Sequence, residues 1–416
     1  KVNFLNMKSY YLLCFFLTTC QPSISYILFI NYPSPKVVFR HPIMQHIYGI
    51  STIKELQSFD PMDSTQLRVA GYFKPGDGGG GDFYWQEDAT DDPDNGLVFR
   101  SRSRQHGRWR RILSGVQDIR FFGAFAASGD VSKQFQSALN ACKQGGSLYI
   151  PSGHYTISRP LEVYQGTSIT GDGLLSEIHY NGERGTACWN AAQRSPSTSM
   201  SFRRLNTLVH NQHTYAFRLT GMSYSRFDSL FVHLRAVNTS AYYGPSNGES
   251  PYYNVFINCH ASGPGSDSNG CVGFDWGAHD DGDLAPNANQ VFGGHINSVD
   301  IAVRCQGTGN IFHGQVFEMV NVGYEFDLPA KRYTAVQQGI SNDVFGLYSE
   351  YAKIVFHQKH PTCYFVAQTS MVTGHDKMLE AKSKDNCVLL SSHSGQLPMN
   401  RSFFQKAVEF NPLEFD

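Results

Sequence analysis

The feature that most constrains this chain is a short strand signal that keeps returning. Asn254-Val255-Phe256, Gln290-Val291-Phe292, Asn310-Ile311-Phe312 and Asp343-Val344-Phe345 each set an apolar pair behind Asn or a related polar residue. The phenylalanines are spaced 36, 20 and 33 residues apart, with glycines at Gly293-Gly294, Gly314 and Gly346. A repeat of roughly twenty residues with longer insertions is expected of a solenoid whose coils each supply a few short strands. Equivalent residues of successive coils then stack about 4.8 Å apart, so the phenylalanines are expected to form a ladder inside the core. A β-sandwich also gives short strands and glycine turns, but it predicts neither this repetition nor a short helix at its start.

Such a helix is present in the pattern. Phe135, Ala138, Leu139 and Cys142 fall at i, i+3, i+4 and i+7, an amphipathic spacing, and Gly145-Gly146 stops it. Before it, residues 118–124 read as a strand ending at a glycine turn. After it, residues 147–150 and 154–157 read as strands about the turn Pro151-Ser152-Gly153. The composition agrees: charged residues are 17% and hydrophobic residues 41%, while Gly (39), Phe (30) and Tyr (22) are abundant. That mixture argues against disorder and favours strands and tight turns.

The expected organisation is a signal-like leader over 1–30, a linker over 31–48, a small β-rich module over 49–116, a solenoid over 117–400 and a tail over 401–416. With Met7 as the start, Lys8 and the apolar run 10–17 resemble a secretory signal peptide, so a secreted or extracellular location is expected. The patch 26–30 is too short to span a membrane. A formal net charge of -1 gives no reason to expect nucleic acid or an anionic membrane as partner. Arg100, Arg102, Arg104, Arg108, Arg110 and Arg111 are the local exception, expected as a solvated hairpin with alternating arginines facing water.

Residues 118–157 resemble the opening segment of the pectate-lyase-like superfamily, which includes phage tailspikes. The resemblance rests on Phe122-Gly123-Ala124, the helix around Phe135 to Cys142, Gly145-Gly146 and Pro151-Ser152-Gly153-His154-Tyr155. The stretch from Ala70 to Trp85, with Gly107-Arg108-Trp109, is similar to the small module that precedes the solenoid in tailspike-like members. Ser128-Gly129-Asp130-Val131-Ser132-Lys133 departs from the family's acidic, threonine-rich helix start, although Asp130 or Ser132 can still cap. The resemblance implies an all-β, right-handed parallel β-helix with a capping helix, and carbohydrate as the ligand class. It does not choose among lyase, hydrolase, epimerase and adhesin.

Several other chemistries are excluded by spacing. Gly76 to Gly81 satisfies GxGxxG, but a strand follows it where a dinucleotide site needs a helix. None of the nine cysteines forms a CxxC pair, and neither HExxH nor GxSxG occurs. The expected role of most cysteines is buried packing, with Cys259 and Cys271 able to pair in an oxidising compartment.

A coil stack offers a shallow groove for an extended polysaccharide, and carboxylates with aromatic neighbours are the groups to seek. Glu318 lies six residues after Phe312, and Glu350 five after Phe345, so the two are expected near each other on successive coils. Retaining hydrolysis needs carboxyls about 5 Å apart, and inversion about 6.5–9.5 Å. Asp280, Asp281 and Asp283 form a second acidic candidate, for acid–base work or, in a lyase, for Ca²⁺. Tyr348, Tyr351, Arg304 and His295 are the expected substrate-binding residues. No cofactor is required otherwise, and His260, His279, His295 and His313 are read as core or groove residues and not as a zinc site. The leading expectation is cleavage of a polysaccharide by hydrolysis or β-elimination. The rival is a non-catalytic carbohydrate-binding β-helix, and a phage-type tailspike role would suggest a homotrimer.

Overall fold

The computed structural model describes residues 48–62, 65–192, 198–245, 251–265, 269–277, 286–328 and 340–391. The leader, the tail and the Asp280–Asp283 cluster lie outside them.

A mostly β structure results: a parallel β-helix of about 9 turns with few helices, preceded by a small β module. Through most of the stack each turn contributes three short strands, which in the last coils merge into the longer Val316–Phe326, Ile340–Gln358 and Cys363–Thr373; each pairs in parallel with its counterpart one coil on. The strands Gly146–Ile150, Gly153–Ile157 and Leu161–Val163 belong to the first, second and third sheets, the first of which starts one coil earlier at Gln117–Asp118. Alternation along every strand sends one file of side chains inward. In the first sheet that file runs Leu148, Ile169, Phe202, Phe227, Phe256, Val291, Phe312, Val344 and Ala367. Phe227 stacks on Phe202 at 5.4 Å and on Phe256 at 4.4 Å, nearly coplanar. Such contacts add about 0.5–1.5 kcal/mol each beyond burial.

The phenylalanine ladder is therefore real but is only partly the one expected. Val291 and Val344 take the inward positions, while Phe292 and Phe345 sit one residue further along, opposite Ile257 and His313 respectively. A shift of one residue turns a side chain to the other face, so Phe292 is left exposed. The polar position explains the register. Asn254, Asn289, Asn310 and Asn342 stack through side-chain amide bonds of 3.1, 3.1 and 3.0 Å, all buried. Gln290 and Asp343 are the residues after the ladder members. The buried amides satisfy one another only in this alignment.

The N-terminal end is closed by the helix Ser132–Asn140, which buries Phe135, Ala138 and Leu139. Asp130 accepts from Ser132 N at 3.0 Å and also binds Ser158, tying the helix start to the solenoid. Residues 119–122 are a 3-10 turn and not part of a strand. Asp118 accepts from Arg120 N at 2.8 Å, and Gly123 ends the turn at φ 81, a conformation that favours glycine.

The preceding module is a five-stranded sheet with the helix Ile53–Ser58. Its glycine loop is organised by Asp77, whose carboxylate accepts from the backbone N of Tyr72, Phe73, Lys74 and Gly79. The arginine run faces water only in part: Arg100, Arg102 and Arg104 are exposed, as expected. Arg108 and Arg111 are buried and donate to the carbonyls of Asp91, Thr90, Gly96 and Gly79. Arg100, Arg104 and Arg110 pair with Asp92, Asp60 and Asp91. These bonds and ion pairs clasp the loops of the module together. The seven described cysteines, Cys259 and Cys271 included, are free and buried.

Candidate functional site

The outward face of the second sheet collects polar side chains by register alone. One file runs His154, Glu177, Asn206, Phe231, His260, His295, Val316 and Tyr348. Two residues further along each strand, a second file ends Ser262, Asn297, Glu318, Glu350. Glu318 and Glu350 are thus direct neighbours on adjacent coils, with backbones one strand spacing apart, about 4.8 Å. Like charges in such a pair are mutually destabilising.

Tyr348 and His295, expected from the sequence as substrate-binding residues, stand next to the two glutamates. Tyr348 Oη donates to Glu350 Oε1, and that carboxylate pushes the Tyr348 phenol pKa upward. His295 Nε2 stands 3.3 Å from Glu318 Oε2, near enough for an ion pair when protonated but not aligned as a hydrogen bond.

Each chain bends sharply just past these glutamates. Ser298, Met319, Tyr351 and Gly374 occupy equivalent corner positions, with φ of 54, 52, 58 and 63. For residues other than glycine this left-handed conformation costs about 1–2 kcal/mol. Met319 and Tyr351 nevertheless stand there with large side chains, 59% and 65% exposed. Together with Gly265, Ser298, Val320, Asn321 and Lys353 they line a cleft of about 460 Å³, one residue along the chain from Glu318 and Glu350, which are not among its lining residues. A bulky side chain in a strained corner next to paired carboxylates marks the place as a site candidate.

Arg304 is not among these groups. It lies on the third sheet, where its guanidinium contacts Asp275 and Glu325 at 3.1 Å each. Asp280, Asp281 and Asp283 fall outside the described residues. Sequence reasoning missed the cleft residues Met319, Asn321 and Lys353, although Met319 directly follows Glu318 just as Tyr351 follows Glu350. It also missed the outward histidines of the early coils, because their ligand-like grouping crosses coils of unequal length.

Residues 49–114 match the model of the phage tail protein small four-stranded beta-sheet domain. Residues 122–241 match the model described as rhamnogalacturonase A/epimerase, pectate lyase-like; that match stops short of the glutamate pair. No curated protein matches the chain. Among solved structures, the tailspike protein of Acinetobacter phage vB_ApiP_P1 is 13% identical, with TM-score 0.52 over 85% of this chain and 75% of its own. Tailspike protein gp49 of Acinetobacter baumannii bacteriophage Fri1, a capsular polysaccharide depolymerase, is 11% identical, with TM-score 0.50 over 86% and 78%. The enzymatically active domain of bacteriophage CBA120 tailspike protein 2 is 14% identical, with TM-score 0.48 over 85% of this chain. This chain spans only 57% of that one. At such identities the likeness is one of fold. Among the described residues no helix is long and apolar enough to cross a membrane.

Proposed function

The chain is a pectate-lyase-like, tailspike-like β-helix, and from that premise we propose that it is a surface carbohydrate-active protein that hydrolyses a polysaccharide at Glu318 and Glu350. The observation that carries this is the in-register glutamate pair, each member followed by an exposed left-handed corner residue, Met319 or Tyr351, that lines a cleft. A spacing of one coil, about 4.8 Å, suits the shorter, retaining arrangement of about 5–5.5 Å. In that reaction Glu318 gives its proton to the glycosidic oxygen as Glu350, oriented by the Tyr348 hydroxyl, attacks the anomeric carbon. The bond to the leaving sugar breaks and a glycosyl ester forms. Water, deprotonated by Glu318, then releases the second product and restores both carboxyls. His295 positions Glu318, and Tyr351 offers its exposed ring to a sugar face. The capsular polysaccharide depolymerase among the structural neighbours supports polysaccharide as substrate and a location outside the cell. A homotrimer belongs to the same reading.

The test is a polysaccharide panel read by new reducing ends and by the absorbance of unsaturated uronates. Hydrolysis gives ends without absorbance, with the anomeric configuration retained by NMR. Glu318→Gln and Glu350→Gln are each expected to lower the rate by about 10²–10⁴-fold with unchanged folding. Absorbing products would replace hydrolysis by β-elimination, and full activity in both variants would remove the pair from the chemistry.

A non-cleaving binder is the second reading, favoured by Tyr224 and Tyr253. These two left-handed corner residues stack at 5.0 Å, each 52% exposed. Glycan binding that is lost on Tyr253→Ala, with no new ends on the panel, would select it.

A further inference from the structure

Near the start of the solenoid, five coils from the glutamate pair, three ligand-type side chains converge. His154 and Glu177 are register partners on the first two coils, and His179 lies two residues beyond Glu177 on the same outward face. Glu177 Oε2 stands 2.9 Å from His154 Nδ1 and 3.1 Å from His179 Nε2. All three ligand atoms lie within 4.8 Å of one another. The imidazoles of His154 and His179 stack at 5.4 Å.

We propose that His154, Glu177 and His179 form a binding site for a divalent transition-metal ion of the zinc class. Two imidazole nitrogens and one carboxylate oxygen are a donor set that Zn²⁺ takes when a fourth position is left for water. At metal–ligand distances of about 2.0–2.2 Å, tetrahedral donors sit about 3.3 Å apart. The two spacings to Glu177 therefore need to open by only a few tenths of an ångström, and the third, between the two imidazole nitrogens, is within 4.8 Å. His154 can supply that movement, since its side chain is 71% exposed, while Glu177 and His179 are 25% exposed and held.

A further contact points the same way. His179 Nδ1 lies 3.1 Å from His210 Nε2, and the two rings are stacked within 11°. A metal-bound imidazole characteristically donates its other N–H to a second group that fixes its tautomer and orientation. With Nε2 on the metal, Nδ1–H of His179 donates to His210 Nε2. Without the metal, Nε2–H donates to Glu177 and the proton between His179 and His210 reverses. The sequence showed none of this, because Glu177 and His154 come from different coils. The site lies five strand spacings from the glutamates, about 24 Å, and does not depend on the proposed hydrolysis.

The experiment uses the tag-free full chain, stripped with chelator and titrated with Zn²⁺ by calorimetry and against a chromophoric chelator. One ion per chain is expected to bind at micromolar or tighter Kd, and Co²⁺ in its place to give the intense visible absorption of a four- or five-coordinate site. His154→Ala, on an exposed side chain, and His179→Ala should each weaken binding at least 100-fold. His210→Ala, a positioning change, should weaken it about 10–100-fold. Circular dichroism and melting curves establish that each variant is folded. Binding unchanged in both His154→Ala and His179→Ala, or no binding tighter than millimolar, would overturn the site. Glu318→Gln should bind Zn²⁺ as the parent does, so loss of polysaccharide cleavage and loss of metal are read separately.

Discussion

The outward faces of the second and third sheets are built by the same stacking rule and end in opposite electrostatic states. On the third sheet, Asp275, Arg304, Glu325 and His357 occupy one file on successive coils. The first three alternate in sign, and the Asp275 and Glu325 side chains are only 4% and 8% exposed. Ser240 Oγ donates to Asp275 at 2.7 Å, and Lys359 Nζ stands 3.7 Å from Glu325. Burial alone would lower the Arg304 pKa, but the two carboxylates raise it overall. On the second sheet, the file through Glu318 and Glu350 puts like charges together at a solvent-facing rim. A ladder of alternating sign consumes its own charge and holds coils together. A ladder of equal sign leaves its charge available to a substrate.

The largest effect that separates the two faces should come from Arg304→Met. It leaves two buried carboxylates without their main cation, and a loss of about 3–5 kcal/mol is expected, read by urea unfolding. A loss under 1 kcal/mol would mean the third-sheet ladder is not structural.

The next effect is one of pH. Burial raises the Glu325 carboxyl, but His357, Arg304 and Lys359 lower it further, so it titrates below its ordinary value of 4.5. Its contribution to stability is complete above the unfolded carboxyl range and is lost as pH falls through the lower folded value. The stability gap between the parent and Glu325→Gln should therefore be constant from pH 7 to about 5 and shrink below about pH 4. A gap that stays constant down to pH 3 would contradict this.

The smallest effect belongs to the second sheet. Glu318→Gln relieves a like-charge neighbour and should leave stability unchanged or raise it by at most about 1 kcal/mol. A clear loss in melting temperature would show that this pair, too, is structural.

How much of this was legible depended on range. The helix from Phe135 to Cys142, its glycine stop and the Pro151-Ser152-Gly153 turn are local, because spacing, capping and turn chemistry act over a few residues. The neighbourhood of Glu318 and Glu350 was also legible, since each follows the repeated apolar pair at nearly the same offset. The inward choice between Val291 and Phe292 was not, because both are good core residues. Asn289 decides it by bonding to Asn254 and Asn310, which lie a coil away on either side. Arg304 was expected at a groove for the same reason: its partners Asp275 and Glu325 are 29 and 21 residues distant.

The sequence by itself determined that the chain is a solenoid and which residue types recur, since these follow from periodicity and turn residues. The tertiary structure alone decided which residues are stacked on which. Coils of unequal length hide the register, and register sets whether a histidine faces a carboxylate, whether an arginine is neutralised and whether two glutamates meet.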